Sequence, residues 1–412
     1  MSRDCRITDL PAELLHEIFE HLWEDKVSLS SCTLVCKEWS DYSRPALFRE
    51  ITVAPELVPE MPHPEYPELE IPDWTDLARR FDGAPHLAAH VQILHVEGGE
   101  LPMERSMLDE FDEVECEVRE DGTKIAVSLN YCFVDLAALL ALAQALPGLT
   151  KVTLDTLIVK SVALPHHQPA LIETLEMNDV GTVKGETPFI IFAPDANKIW
   201  PESFPFEPSV PTCKWTIRGE PNGVPIIRGL AASSLGRLTS LVVDLRDEYD
   251  LLALNAAFKS FGPQFKELTL DLWDATWVAR PHVVVAAAVE EAWNETFTLA
   301  PCEGLEKFVM HFKLGYLEDS VPILESVAHL LSTFPPTIRT VRLIIDFAFF
   351  IPPDVAEMPW SSINWALKNL EKVTFTIVDE GDRKRDGQIL VEKAISSQLS
   401  DIGQRLHIEF IG

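Results

Sequence analysis

The sequence has little positive charge. Its 412 residues include 34 Lys and Arg against 65 Asp and Glu, which gives a net charge of −31. Binding to nucleic acid regardless of sequence, like binding to anionic lipid, depends on clustered Lys and Arg. We therefore expect neither nucleic acid nor membrane among the partners of this acidic protein, whereas a basic protein partner is compatible with the composition.

Long apolar runs are also absent. The longest apolar stretch, Val134 to Leu149, contains Asp135, Gln144 and Pro147, so it falls short of the roughly 20 apolar residues of a membrane span. The opening MSRDCRITDL lacks the apolar core of a secretory signal. Seven cysteines are scattered without a C-x-x-C pair. These features predict free thiols in a reducing compartment, the cytoplasm and/or the nucleus.

Motifs for catalysis, nucleotide binding and metal binding are missing as well. The sequence contains no G-x-S-x-G, G-x-G-x-x-G, Walker or EF-hand pattern. His16 and His21 resemble the zinc motif H-E-x-x-H, but their spacing of five residues places them on different sides of a helix. His166 and His167 have no third ligand at a suitable spacing. We therefore predict no catalytic residues, no metal and no cofactor.

The first fifty or so residues are predicted to form three short helices. Pro11 suits the first turn of the first helix, and the third helix is predicted to end before Pro45. Apolar residues of the first helix form two rows: Leu10, Leu14 and Ile18, then Leu15, Phe19 and Leu22. This apolar arc is wider than so small a domain can bury, so either the rest of the chain or another protein must cover it.

These helices contain a pattern of fixed residue types. It reads Leu10-Pro11-x-Glu13-Leu14-Leu15-x-x-Ile18-Phe19-x-x-Leu22, then Leu34-Val35-Cys36-Lys37-x-Trp39, then Leu47-Phe48-x-x-Ile51. The pattern resembles an F-box over about residues 7–52. The resemblance implies a non-catalytic substrate-recognition adaptor of an SCF-type (Cullin–RING) ubiquitin ligase, which docks on the Skp-type linker. The residues expected to touch the linker or to support that surface are Leu10, Pro11, Leu14, Ile18, Leu34, Val35, Cys36 and Trp39.

A second pattern recurs after the helices. A turn is followed by an apolar residue, two other residues, an apolar residue, one other and a third apolar residue. The copies start at Val91, Leu149, Ile172, Leu238, Phe265, Leu305, Ile338 and Leu370, and Leu406-x-Ile408-x-Phe410 suggests a final strand. Several copies follow a helical stretch, and the spacing of about 27–40 residues is typical of stacked repeats.

We predict an α/β fold in which strand–helix repeats form a curved parallel sheet. This part resembles the irregular leucine-rich-repeat solenoids that often follow an F-box, and an ordinary α/β domain is the alternative. Proline-rich and acidic stretches set the predicted boundaries. The F-box covers residues 1–52, a proline-rich acidic linker 53–74, and the solenoid 75–412, with an acidic insert near 104–124 and a proline-rich insert near 185–228.

Residues between the apolar positions of each strand are expected to face the concave side of the sheet, where solenoids commonly bind their partners. The candidate target-binding residues are Asp155, Asp244, Thr269, Asp271, His311, Arg342 and Thr374. Because no Arg cluster suited to phosphate stands out, an unmodified basic target segment is more plausible than a phosphorylated one. Two other functions remain open: an F-box scaffold that works with the linker outside a ligase, and an uncharacterised α/β enzyme.

Overall fold

A computed structural model describes most of the predicted helices and strands. The described residues are 10–54, 56–57, 69–70, 74–98, 116–118, 124–126, 132–161, 170–184, 206–209, 213–218, 238–245, 254–259, 262–272, 297–314, 317–347, 352–378 and 385–411. They fall into two compact units, Met1–Thr174 with Val183–Phe192, and Leu175–Thr182 with Ala193–Gly412.

The helices of the described residues are α1 (Ala12–His21), α2 (Lys26–Thr33), α3 (Lys37–Leu47), α4 (Trp74–Asp82), α5 (Pro85–Ala88), α6 (Leu136–Gln144), α7 (Leu317–Ser332), α8 (Pro352–Glu357), α9 (Trp360–Leu367) and α10 (Arg385–Gln398), and residues 254–259 are also helical. The strands are β1 (Glu50–Val53), β2 (Glu56–Leu57), β3 (Leu69–Glu70), β4 (Ile93–Glu97), β5 (Cys116–Val118), β6 (Lys124–Ala126), β7 (Cys132–Asp135), β8 (Lys151–Ser161), β9 (Ala170–Ile172), β10 (Thr174–Lys184), β11 (Phe206–Pro208), β12 (Cys213–Arg218), β13 (Leu238–Asp244), β14 (Glu267–Leu272), β15 (Lys307–Leu314), β16 (Thr340–Phe347), β17 (Lys372–Val378) and β18 (Leu406–Ile411).

The first unit combines the N-terminal helices with a parallel sheet. Strand β1 follows α3 directly and pairs with β4. The first half of β8 pairs with β4, and its second half pairs with β7. Helix α4 packs on α6. The predicted domain boundary at residue 52 falls inside β1, so the first strand of this sheet comes from the segment that resembles an F-box.

The second unit contains strands β10 and β12 to β18 in chain order, and every pairing from β12 to β18 is parallel. Helix α7 packs on α9, and α8 packs on α10. From β13 to β18, each strand therefore lies beside the strand that precedes it in the sequence. Right-handed strand–helix connections favour this arrangement because each new strand buries its apolar face beside the previous one.

The apolar positions of the repeated pattern lie in register across the second unit. They form one row that runs through Leu241, Leu268, Phe308, Val341, Val373 and Leu406. Its members from Leu241 to Val373 are almost fully buried. The α/β class and the strands predicted from this pattern are confirmed, from β4 at the start to β18 at the end.

Backbone hydrogen bonds show a further copy that the sequence reading missed. Before β4, the amides of Gln92 and Ile93 both donate to the carbonyl of Arg49, as those of Thr150 and Lys151 donate to Gln92 before β8. The same paired bond recurs before β15, β16 and β17. Residues just before β1 therefore occupy the repeat position, and the sequence signal was present as Phe48-x-x-Ile51-x-Val53.

One predicted helix boundary differs from the structure, and three predicted segments lie mostly outside the described residues. The prediction that the third helix ends before Pro45 is wrong, and α3 runs to Leu47. Proline in the last turn removes a single backbone donor, and the Phe48 amide still donates to the Arg44 carbonyl at 2.9 Å. Most of the predicted linker 53–74, of the acidic insert near 104–124 and of the proline-rich insert near 185–228 lies outside the described residues.

Gly304→Ala should destabilise the second unit by about 1–3 kcal/mol, because it overpacks a turn. A Cβ atom at Gly304 would lie 2.5 Å from the backbone oxygen of Pro263, in the turn before the preceding strand. A Cβ atom at Gly148 in the first unit would likewise lie 2.6 Å from the Ala89 oxygen. Denaturant unfolding of the full chain measures the loss of stability. Hydrogen exchange in β14 and β15 then shows whether the loss falls in the second unit.

Gly387→Ala in α10 is the matched control for this substitution. A Cβ atom there has nothing within 4 Å, so the helix should be unchanged or stabilised by up to about 1 kcal/mol. Equal stability of the Gly304→Ala chain and the unsubstituted chain would contradict the close stacking of the two turns.

Candidate partner-binding surfaces

The ends of the N-terminal helices are fixed by local capping. Helix α1 begins directly after Pro11, whose lack of an N–H costs nothing at that position. Asp25 accepts a hydrogen bond from the Ser28 amide at 2.9 Å, and hydrogen bonding by Ser28 lowers the pKa of the Asp25 carboxyl. The Cys36 sulfur accepts from the Trp39 amide at 3.5 Å and begins α3. Three separate short helices follow from these caps.

The three helices share a small core of their own. Leu15, Phe19 and Leu29 are at most 2% exposed. The Trp39 ring meets Phe19 edge-on, with ring centroids 5.6 Å apart. Partly buried residues around this core also come from the helical segment: Leu10, Leu22, Cys32, Trp39, Tyr42, Ala46 and Leu47. In the second predicted row, Leu15 and Phe19 are therefore buried, and Leu22 is partly buried.

Polar contacts join the beginning and the end of the helical segment. The Lys26 ammonium group donates to the Leu47 carbonyl at 3.3 Å, and partial burial lowers the pKa of Lys26. The Arg49 guanidinium lies over the Trp23 ring, 5.8 Å from its centroid. These contacts attach α2 and the turn before it to the residues that lead into β1.

Two residues of the other predicted row, Leu14 and Ile18, are exposed to solvent. Leu14 is 46% exposed and Ile18 is 42% exposed. At the turn between α2 and α3, Leu34 and Val35 are 85% and 60% exposed, and Val27 on α2 is 78% exposed. Of the ten large apolar residues that are exposed in the described part of the chain, five belong to this segment of fewer than forty residues. Exposed apolar side chains at this density mark a contact surface.

A second candidate surface is the polar face of the sheet in the second unit. Asp271 and His311 oppose each other on β14 and β15, and their side chains pair at 3.1 Å between Oδ2 and Nδ1. Both side chains are largely buried, at 19% and 16% exposed. In a neighbouring row, the Lys313 ammonium group lies 3.5 Å from the almost fully buried carboxylate of Asp346.

Arg342 organises the end of this face. Its Nε donates to the Thr376 hydroxyl at 2.8 Å and its Nη2 to the Glu409 carboxylate at 2.6 Å, and the Thr376 hydroxyl donates to the same carboxylate oxygen at 2.6 Å. The hydroxyl of Thr376 and then the charge of Arg342 lower the pKa of Glu409. Glu409 therefore contributes stability above the ordinary carboxyl pKa, and this is lost as pH falls through the lowered value.

Comparison with known families bears on the first of these surfaces. Residues 7–54 match the F-box-like family model. No curated protein matches the chain. The match ends just after β1, so the F-box-like domain includes the three helices, their exposed apolar residues and the first strand. This domain supports a role as an F-box protein among ubiquitin-ligase adaptors, a typically non-catalytic family whose F-box domains generally bind Skp-type linkers.

The structure divides the predicted linker-contact residues of the F-box-like domain into two groups. Pro11, Leu14, Ile18, Leu34 and Val35 are exposed, as a direct contact requires. The remaining three are partly buried and support the helices: Leu10 packs on the core, Cys36 caps α3 and Trp39 packs against Phe19. Val27 was not predicted, and its place in the more polar second helix explains why the apolar periodicity did not indicate it.

The predicted target-binding residues also differ in exposure. Arg342 is exposed, whereas Thr374 is buried at 8% and contributes little surface. The others are partly exposed: Asp155, Asp244, Thr269, Asp271 and His311. Asp155 belongs to β8 of the first unit, and the others belong to the second.

Several other features of the described residues bear on chemistry. Nowhere along them do three or more His, Cys, Asp or Glu side chains cluster as a metal site would require. No helix within them is both long and apolar enough to cross a bilayer. The described thiols of Cys32, Cys36 and Cys302 are free, and burial raises the pKa of Cys302 to about 12. His166 and His167, which were not predicted to bind a metal, lie outside the described residues.

Proposed function

We propose that the chain is a substrate-recognition adaptor of an SCF-type (Cullin–RING) ubiquitin ligase. The observation that carries this proposal is the exposed apolar row of Leu14 and Ile18 in a domain that matches the F-box-like model. Each fully buried aliphatic side chain contributes about 1.5–3 kcal/mol, so covering these residues and the exposed Leu34 and Val35 would drive docking on a Skp-type linker. The ligase would act in the cytoplasm or the nucleus.

The remainder of the chain is proposed to form an irregular leucine-rich-repeat-like solenoid. Strands that follow one another in the sequence lie side by side in parallel, and the same backbone hydrogen bond recurs between successive copies. Neither a strand nor its helix buries its apolar face alone, so each copy depends on its neighbours. We retain the domain scheme predicted from the sequence, with the F-box over residues 1–52, the linker over 53–74 and the solenoid over 75–412.

The polar face of the second unit is the proposed site for the target protein. Asp271 and Asp244 lie opposite each other in the register of β13 and β14, and both are partly exposed. With Glu409 and a net charge of −31, they favour a basic and unmodified segment of the target. Holding such a segment near the ligase raises the local concentration of the target. The ligase would supply the chemistry, and the chain itself would catalyse no step.

A reconstituted ubiquitin-transfer assay tests this function. Affinity purification followed by mass spectrometry first identifies proteins that bind the full chain. The purified linker, cullin, RING subunit and ubiquitin-conjugating enzyme are then combined with the chain and one such protein. Ubiquitin transfer that depends on the chain is expected, and its rate should fall when salt screens the acidic face.

The same assay separates the other candidate functions. A chain that co-elutes with the linker, yet supports no transfer to any bound protein, would act as a scaffold outside a ligase. A chain that does not co-elute with the linker would contradict the adaptor function.

A further inference from the structure

The last strand of the second unit is less covered than the strand beside it. Among the described strands, β18 pairs with β17 alone. Val373, Phe375 and Ile377 of β17 are at most 1% exposed. Their register partners on β18 are all partly exposed: Leu406, Ile408 and Phe410. Within the part of the chain that the structure describes, no strand therefore covers the outer side of β18 as β18 covers β17.

This end also lacks the usual polar protection. Repeat proteins need a terminal unit with a polar outer side, and exposed edge strands are commonly blocked by Lys, Pro or a bulge. Strand β18 is LHIEFI and contains none of these. Ile411 at its end is 47% exposed, and Ile389 and Leu390 on α10, the last helix, are 52% and 54% exposed. An uncovered apolar end of this kind marks a surface that another chain occupies.

The sequence of β18 is complementary to itself in the antiparallel direction. When two copies are aligned on Ile408, His407 faces Glu409 of the partner subunit, and Leu406 faces Phe410 of the partner subunit. In antiparallel pairs, directly opposed side chains lie on the same face and interact. The charge pair and the apolar pair each form twice, as the twofold symmetry of a homodimer requires.

We propose that β18 pairs with β18 of a second copy, so that the sheets of two second units join edge to edge into one. The register with β17 places His407 and Glu409 on the polar face and Leu406, Ile408 and Phe410 on the core face. Each row of the sheet therefore continues across the dimer axis with matching side chains. The imidazole attracts the carboxylate by charge when it is protonated and by a hydrogen bond when it is neutral.

The dimer would extend the cluster that Arg342 organises. Glu409 accepts hydrogen bonds from Arg342 and Thr376 within one chain through Oε1. Its other oxygen, Oε2, lies 3.8 Å from Nε2 of His407 in the same chain, which is beyond hydrogen-bond distance. In the dimer, Oε2 would meet His407 of the partner subunit, so that the second copy contributes a residue to this cluster. This assembly goes beyond the proposed adaptor function and does not depend on linker binding.

Sedimentation equilibrium of the full chain tests the assembly. We expect a reversible dimer whose dissociation constant lies between about 1 and 100 µM, as for a small interface. Physiological salt suits the experiment, because a Debye length of about 8 Å screens the repulsion between acidic copies. His407→Glu places like charges opposite each other at both pairs and should weaken the dimer about tenfold or more. His407→Gln keeps a hydrogen-bond donor without the negative charge and is the matched control, with a change of less than about threefold expected.

Disulfide cross-linking tests the alignment itself. Two copies of Ile408→Cys would face each other across the twofold axis, with Cα atoms about 4.5–5.5 Å apart, which suits a disulfide. Two copies of His407→Cys would be diagonal neighbours at about 7–8 Å, beyond the reach of a disulfide. Mild oxidation should therefore cross-link the first variant much more than the second or the unsubstituted chain, whose own cysteines set the background.

Each remaining outcome overturns the proposal. A chain that stays monomeric at 100 µM or so, with β18 amides protected from hydrogen exchange, has its edge covered by its own residues. A monomer with exchanging β18 amides has an edge that no copy occupies. A dimer that His407→Glu does not weaken and that Ile408→Cys does not cross-link uses another surface. The Leu14→Asp and Ile18→Asp chain should dimerise normally, which keeps this test separate from linker docking.

Discussion

Replacing Leu14 and Ile18 together with aspartate should abolish binding of the Skp-type linker while leaving the N-terminal helices folded. Both side chains are nearly half exposed in the free chain, so the charges cost little there. On docking, each carboxylate would be buried without a partner, at a cost of several kcal/mol. Together with the lost apolar contacts, this predicts at least about a hundredfold loss of affinity. Titration calorimetry with the purified linker measures the change, and circular dichroism checks the helices.

Leu171→Asp is the matched control for this double substitution. Leu171 is 55% exposed, and it lies on β9, outside the F-box-like domain. It should leave linker affinity within about twofold of the unsubstituted chain, since surface substitutions away from an interface change energies by less than about 0.5 kcal/mol. If the double variant still co-purifies with the linker at normal yield, the docking surface is placed wrongly.

Phe19→Ala should unfold the N-terminal helices, although Phe19 follows Ile18 directly in the sequence. Phe19 is 2% exposed and packs against Leu15, Leu29 and the edge of the Trp39 ring. Truncating a buried Phe costs about 3–5 kcal/mol, and the helical segment has few other buried residues to compensate. Hydrogen exchange followed by mass spectrometry should show loss of protection across residues 12–47.

Ile18→Ala provides the comparison on the same helix. Its side chain is 42% exposed, so protection of α1 to α3 should change little, by less than about 1 kcal/mol. The second unit should remain protected in both variants, because its core is built from its own residues. Unchanged protection in Phe19→Ala would mean that the described core of the helices does not hold them together.

Much of this architecture follows from local sequence periodicity. A spacing of four along α1 separates Leu14 and Ile18 from Leu15 and Phe19, and the structure exposes the first pair and buries the second. The period of two in the repeated pattern likewise predicts which residues of each strand face the core. Such patterns are readable because the geometry of a single helix or strand decides them, before any contact with a distant part of the chain.

Where contacts with distant residues decide exposure, similar side chains differ in how far they are buried. Trp360 is fully buried and donates its indole N–H to the Val355 carbonyl at 2.8 Å, whereas Trp365, five residues later, is 62% exposed beneath Lys368. Thr374 and Arg342 were both predicted to face a partner, yet Thr374 is buried and Arg342 is exposed. Their exposure depends on which neighbours the sheet register places beside them.

The sequence by itself determined the α/β class, the positions of the repeated strands and the apolar character of the first helix. These properties arise from residues within one turn of helix or one strand. Only the tertiary structure decided that β1 continues the F-box-like segment into the sheet, that Arg342 reaches Glu409 and that β18 is the edge strand among the described strands. Each of these depends on the register between strands that are tens of residues apart, and register is set by the combined packing of many copies rather than by any single stretch of sequence.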